Sequence, residues 1–248
     1  HLQGYLMHGF SSLARSTSQA TIYRNRRFIK YLVARGHVSP ALLPVFECRV
    51  AVPKRVVTTL TESQSRDILS APKPQTVLQA RTNAVLLCSL VLGLRRSDVH
   101  KLKLTEIDWK KETIHIIQKK TRVPLKLPLP RNVGIAIASY IMNFRPKVSS
   151  EYIFLSIKAP YSQIKGSSNA LEDFLSENPD KLSSGGYHIL RRTCASYLLA
   201  NGTAPTTIMH ILGQTSMDSL DYYLCLDEPN MALNPLDSPA TGIPEVLI

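Results

Sequence analysis

From Thr21 to Arg35 the apolar positions recur at helical spacing, with Ile22, Phe28, Ile29, Leu32 and Val33 on one stripe. Arg24, Arg27 and Lys30 lie largely off that stripe, and Gly36 follows as a C-cap candidate. The pattern predicts a helix with a buried apolar face and a cationic outer face. Residues 48–58 have no helical period and contain Pro53, so they read as an extended linker. Thr61-Glu62-Ser63-Gln64 matches a capping box and predicts a helix running to about Ala71. Ala80 to Gly93 is apolar nearly all round, which predicts a buried core helix. The period then changes to two. Ile114 and Ile116, then Val123, Leu125, Leu127 and Leu129, alternate with polar neighbours. This predicts a β-hairpin with Lys119-Lys120-Thr121-Arg122 at its tip. Helical periodicity returns from Val133. Pro229, Pro235, Pro239 and Pro244 exclude a single long helix at the end of the chain. The expected fold is mainly α with a small antiparallel β-hairpin or sheet.

Composition narrows the class. The 248 residues suffice for a buried core, and 44% hydrophobic content excludes a disordered chain. The four cysteines (Cys48, Cys88, Cys194, Cys225) are far apart and form no CxxC pair. They suggest neither a zinc cage nor a disulfide framework, and fit a reducing compartment. The longest apolar run, Ala84 to Leu94, is too short to span a bilayer. No secretory signal is visible, and residue 1 is His rather than Met, so an earlier natural start is expected.

Charge is unevenly placed. The chain carries 30 Lys+Arg against 18 Asp+Glu, a formal net charge of +12. Residues 1–55 hold nine basic side chains and a single acid, Glu47, whereas residues 226–248 hold four acids and no base. Two basic lobes and an acidic tail suit a polyanionic partner, with DNA or RNA the natural candidate.

Four stretches carry candidate chemistry. Gly93-Leu94-Arg95-Arg96-Ser97-Asp98 sets an arginine at the end of the core helix, where its planar fork suits a phosphate. Lys120, at the hairpin tip, is a point charge that can also give up a proton. In Tyr187-His188-Ile189-Leu190-Arg191-Arg192-Thr193, His188 and Arg191 share a helix face. They pair a group that titrates near neutrality with a permanent cation. Finally, Leu212-Gly213-Gln214 puts a polar amide after a helix stop, and Tyr222 and Tyr223 follow eight and nine residues later.

Taken in order, these pieces resemble the tyrosine recombinase (phage integrase) family over about residues 20–225. The resemblance implies a DNA-binding core-binding domain over 1–47, with its earlier helices absent from this chain. It further implies a linker over 48–58, a catalytic domain over 59–225 and a tail over 226–248 that contacts a neighbouring protomer. It assigns Arg95, Lys120, His188, Arg191, Gln214 and Tyr223 to catalysis, Tyr222 being the fallback nucleophile and Asp98 a supporting acid. Arg24, Arg27, Lys30, Lys54, Arg55, Lys119 and Arg122 are the expected DNA contacts. Two departures stand out. Gln214 holds a place usually taken by His or Trp, and Arg192 stands where His is frequent. Gln214 cannot ionise but can donate to a phosphate oxygen, so activity re-tuned rather than lost is expected.

The implied activity is site-specific recombination through a 3′-phosphotyrosyl intermediate, as in integration, excision or transposition of mobile elements. It needs no metal, ATP or other cofactor. The implied partners are double-stranded DNA with specific half-sites and three further copies of the chain, with no membrane. The implied setting is the cytoplasm, at the nucleoid, of a bacterial or phage system. Two alternatives remain open at this point: a DNA-binding protein of the same fold without catalysis, and a type IB topoisomerase-like enzyme.

Overall fold

The computed structural model describes residues 15–47, 58–164 and 187–214. The chain divides into two compact units, His1–Arg55 and Val56–Ile248.

In the first unit a helix, α1 (Arg15–Ala34), is followed by two short 3-10 turns, Pro40–Leu42 and Pro44–Phe46. At its end Gly36 donates to Val33 O and His37 to Leu32 O, so the last carbonyls are satisfied by a glycine-centred reversal. Ile22 and Phe46 are buried, and Ile29, Leu32 and Val33 are half-buried. Phe28 departs from the expected stripe, at 60% exposed. Among the described residues the elements that pack most on α1 are these two 3-10 turns of three residues each. Arg24, Arg27 and Lys30 do not appear in any ion pair among the described residues, whereas Arg26 pairs with Glu47 at 2.9 Å. The predicted linker, with Lys54 and Arg55, falls almost wholly outside the described residues.

The second unit is organised around one buried helix. Thr61 starts α2 (Glu62–Leu69) with the predicted capping box: its hydroxyl accepts from Gln64 N at 3.2 Å, and Gln64 Oε1 accepts from Thr61 N at 2.9 Å. The helix stops at Leu69, two residues before the predicted end. Thr76 caps α3 (Val77–Leu90), which is buried on nearly every side, as its uniform apolarity requires. Burying one such Leu or Val side chain contributes about 1.5–3 kcal/mol, so α3 supplies much of the unit's cohesion. Even Arg81 is enclosed, and it donates to Leu155 O at 2.8 Å. After a short helix, α4 (Arg96–Val99), come three antiparallel strands in spatial order: β1 (Ile107–Asp108), β2 (Thr113–Ile117) and β3 (Pro124–Pro128). Ile114 pairs with Leu127 and Ile116 with Leu125, all four buried, while Ile117 points out at 69% exposure. This is the period of two read from the sequence, with β1 as a third strand the pattern did not announce.

Helix α5 (Arg131–Ser139) continues into a π-turn, Tyr140–Phe144, and packs on α3. Arg145 then ties down the following loop, donating to Ser150 O, Tyr152 O and Ile153 O at 2.9–3.1 Å. Helices α6 (His188–Ala200) and α7 (Pro205–Leu212) complete the described fold, α6 lying against both α3 and α7. No helix among the described residues is long and apolar enough to cross a membrane.

Candidate catalytic site

Arg95 precedes α4 in an extended conformation, and its carbonyl accepts from Asp98 N and Val99 N. Its guanidinium is half-buried and donates through Nη1 to Oε1 of Gln118. The first-arginine stretch and the hairpin base are thereby joined side chain to side chain.

Asp98 adds a second tie. It is buried, and its Oδ1 accepts from the backbone N–H of Lys119 at 3.1 Å. The hairpin tip is compact: Gln118 N donates to Val123 O, and Arg122 N donates to Gln118 O. Arg122 takes a left-handed φ of +59°, which helps turn the chain within four residues. Lys119, Lys120 and Arg122 are exposed at this tip.

His188 is the first residue of α6, and Arg191 follows one turn later. Arg191 is only 4% exposed, and its fork is seated on two backbone carbonyls. Nη1 donates to Gly93 O at 2.7 Å and Nη2 to Leu212 O at 2.6 Å. The first acceptor lies two residues before Arg95 and the second two residues before Gln214, so this guanidinium stitches three motif stretches together. Beneath them the Arg96 guanidinium lies 5.6 Å from the centre of the Tyr187 ring, and His100 meets the same ring edge-on at 6.0 Å.

The imidazole of His188 registers the convergence. His188 is exposed at the start of α6, yet its pKa lies below the ordinary value of 6.5, first through partial desolvation of the ring, then through the positive charges of Arg192, Arg191, Lys120 and Arg95. Cations from three distant parts of the sequence therefore act on one ring, and Arg192, whose part the sequence left open, is among them. A cluster of this sign favours an incoming anion.

Helix α7 stops at Gly213, whose φ is +58°. Gly213 N donates to His210 O and Gln214 N to Met209 O, so the backbone of Gln214 is fixed by the helix end itself. Its side chain is half-buried, and Oε1 accepts no hydrogen bond among the described residues. Tyr222, Tyr223 and the tail 226–248 lie outside the described residues.

Sequence reasoning overlooked Gln118. It is fully buried and donates through Nε2 to Leu212 O at 2.9 Å. Its Oε1 also accepts from Thr121 Oγ1 at 2.7 Å. A signal was available. Ile114 and Ile116 face inward, and Gln118 continues that phase as a polar residue at a core position.

The phage integrase family model matches residues 58–229, more than half of the chain. A relative in Sinorhizobium fredii (strain NGR234), named "Putative integrase/recombinase y4gC", is 29% identical over 177 residues, covering 71% of this chain and 92% of its own. Tyrosine recombinase XerC of Pelotomaculum thermopropionicum is 26% identical over 223 residues, covering 85% of this chain and 71% of its own. The chain spans only about half the length of two other integrase/recombinase relatives from the Sinorhizobium strain. Among solved structures, the XerH site-specific recombinase bound to a palindromic difH substrate superimposes with a TM-score of 0.74 at 15% identity. That match covers 93% of this chain and 69% of the other, and it shows a shared fold. With the family model spanning the unit that carries Arg95, Lys120, His188, Arg191 and Gln214, the chain belongs to the phage integrase family of tyrosine recombinases, enzymes of site-specific recombination.

Proposed function

We propose that this chain cleaves and rejoins DNA strands at specific sites through a covalent tyrosyl-phosphate intermediate, with Tyr223 as nucleophile. The observation that carries the reading is the joining of the Arg95, hairpin, Arg191 and Gln214 stretches by hydrogen bonds through Gln118 and the carbonyls of Gly93 and Leu212. A phosphodiester is an anion that resists attack by an electron-rich oxygen. Arg95 and Arg191 offset the charge on its non-bridging oxygens and stabilise the further charge that builds in the transition state. Loss of one such preorganised donor costs about 3–4 kcal/mol of barrier.

In the cleavage step the phenolic oxygen of Tyr223 bonds to phosphorus and the bond to the 5′-oxygen breaks. The phenolic proton passes to His188, whose lowered pKa favours the neutral, proton-accepting form of the ring. Lys120 supplies a proton to the departing oxygen. Gln214 donates its amide N–H to a phosphate oxygen in place of a charged ring. The ester conserves the energy of the broken bond, so a new 5′-hydroxyl can reverse the step without a nucleotide cofactor.

DNA is the partner. The XerH structure, of the same fold, is bound to a DNA substrate. Arg24, Arg27 and Lys30 of the first unit, the hairpin cations Lys119 and Arg122, and Lys54 and Arg55 would contact backbone phosphates. Recombination joins two duplexes, so four copies act together, with residues 226–248 reaching a neighbour. Sedimentation of the protein on its DNA site tests that stoichiometry.

The decisive experiment uses a suicide duplex nicked beside the cleavage position. Wild-type protein should accumulate as a covalent protein–DNA adduct, and Tyr223→Phe should bind the same duplex without forming one. Bound wild-type protein that forms no adduct would leave a DNA-binding protein without chemistry. Relaxation of any supercoiled plasmid, whatever its sequence, would instead indicate a topoisomerase.

A further inference from the structure

One side-chain amide meets several parts of the site at once. Gln118 Oε1 accepts from Arg95 Nη1 and from Thr121 Oγ1, the residue beside Lys120. At the other end Nε2 donates to Leu212 O, the carbonyl that also accepts from Arg191 Nη2. The next residue, Gly213, lies so close that a Cβ there would sit 2.5 Å from Gln118 Oε1, and Gln214 follows. A single planar group thus meets the neighbourhoods of both arginines, the hairpin lysine and the Gln214 turn. Its polarity is matched to the task, because the oxygen faces two donors and the nitrogen faces a carbonyl. No other side chain of this size offers both ends in one plane.

We propose that Gln118 is a positioning residue of the strand-cleavage reaction, setting the Arg95 guanidinium and the Lys120 tip in register with the Arg191–Leu212 end of the site. It touches neither DNA nor the reacting atoms. Full burial on the inward phase of β2 makes the amide a fixed reference, since displacing it would strand polar atoms in the core. This inference rests on the recombinase reading given above.

Wild type, Gln118→Met, Gln118→Glu, Arg95→Lys and Arg95→Lys/Gln118→Met are compared in single-turnover cleavage of the suicide duplex at saturating protein. DNA dissociation constants are measured in parallel. Methionine keeps the volume and loses both ends of the amide. Glutamate keeps an acceptor toward Arg95 but presents an oxygen to the Leu212 carbonyl. Both single variants should cleave about 100-fold more slowly, the scale of an ångström-sized misplacement of a catalytic group. Their DNA dissociation constants should stay within about threefold of wild type. In the Arg95→Lys background, Gln118→Met should cost less than about threefold more, because the two act in one chain of contacts.

Cleavage by Gln118→Met within about fivefold of wild type would overturn the proposal. So would a full, multiplicative penalty in the double variant, which would mark Gln118 as general scaffolding. If the methionine variant loses DNA binding, the nearly isosteric glutamate variant decides: slow cleavage with intact binding supports the proposal, and wild-type speed rejects it. Absence of adduct with wild type itself would refute the recombinase reading instead, so the two failures are distinguishable.

Discussion

Gly213→Ala should destabilise the second unit far more than the same change at Gly202. Both glycines end a helix through the same hydrogen-bond pattern. Gly202 N donates to Leu199 O and Thr203 N to Leu198 O, as Gly213 and Gln214 do for α7. Their φ angles are +75° and +58°. An alanine in that conformation costs about 1–2 kcal/mol at either position. The surroundings differ. A Cβ at position 202 meets nothing within 4 Å, whereas at 213 it would lie 2.5–2.7 Å from the Gln118 amide. That amide is enclosed and bonded at both ends, so it must give up partners to move. Its bond to the Arg95 guanidinium is charge-assisted, worth about 1.5–3 kcal/mol, and the bond to Leu212 O is worth about 0.5–1.5 kcal/mol. Gly213→Ala should therefore cost about 3–6 kcal/mol in all, against about 1–2 kcal/mol for Gly202→Ala. The gap of about 2–4 kcal/mol corresponds, for a unit of this size, to a melting-temperature difference of about 4–16 °C. Thermal melts followed by near-ultraviolet circular dichroism measure it directly. Equal losses at the two glycines would refute the packing argument, because backbone strain alone would then account for both.

Three further outcomes are expected. Cleavage should have an acid limb below pH 6.5, because the lowered pKa keeps His188 neutral and proton-accepting until the solution is more acidic than for a free imidazole. Single-turnover rates across pH check this, and His188→Asn should lack the limb. His100 is buried with its pKa lowered to about 4, by burial and by Arg96 and Arg81. Its contribution is whole above 6.5 and is lost as the pH falls toward 4, because the unfolded chain takes up the proton first. Urea midpoints should drop across that interval, and less steeply in His100→Gln. Replacing Arg24, Arg27 and Lys30 together by alanine should weaken DNA binding and flatten the log Kd against log salt plot by about 2–3, if each neutralises one phosphate. Titration at several salt concentrations reads that slope.

Much of the second unit could be read from the order of residues alone. Thr61 and Gln64 announce their capping box, the uniform apolarity of α3 announces its burial, and the alternation from Ile114 to Leu127 fixes the hairpin register. What escaped depends on tertiary contact. Gln118 looks like one more polar residue at the start of a turn until Arg95 and Leu212, distant in sequence, arrive beside it. The spacing of His188 and Arg191 announces a shared helix face and a cation, but says nothing of the carbonyls that hold the Arg191 fork. Phe28 shows the converse failure. Helical spacing marks an apolar face, and whether that face is covered depends on what the chain can bring against it. Tyr223 is assigned as nucleophile by the family resemblance, with Tyr222 as the fallback, and covalent trapping is what tests it.

Three arginines of the second unit, Arg81, Arg145 and Arg191, act as struts by donating to main-chain oxygens. A strut of this kind remains a unit of positive charge, because the oxygens it grips are neutral. Part of the pull on a polyanion is therefore built into the framework, beyond the reach of surface redesign. Trading Arg81 or Arg145 for a neutral residue to harden the protein would also slow its capture of a duplex, and at Arg191 the same trade would remove a catalytic cation as well.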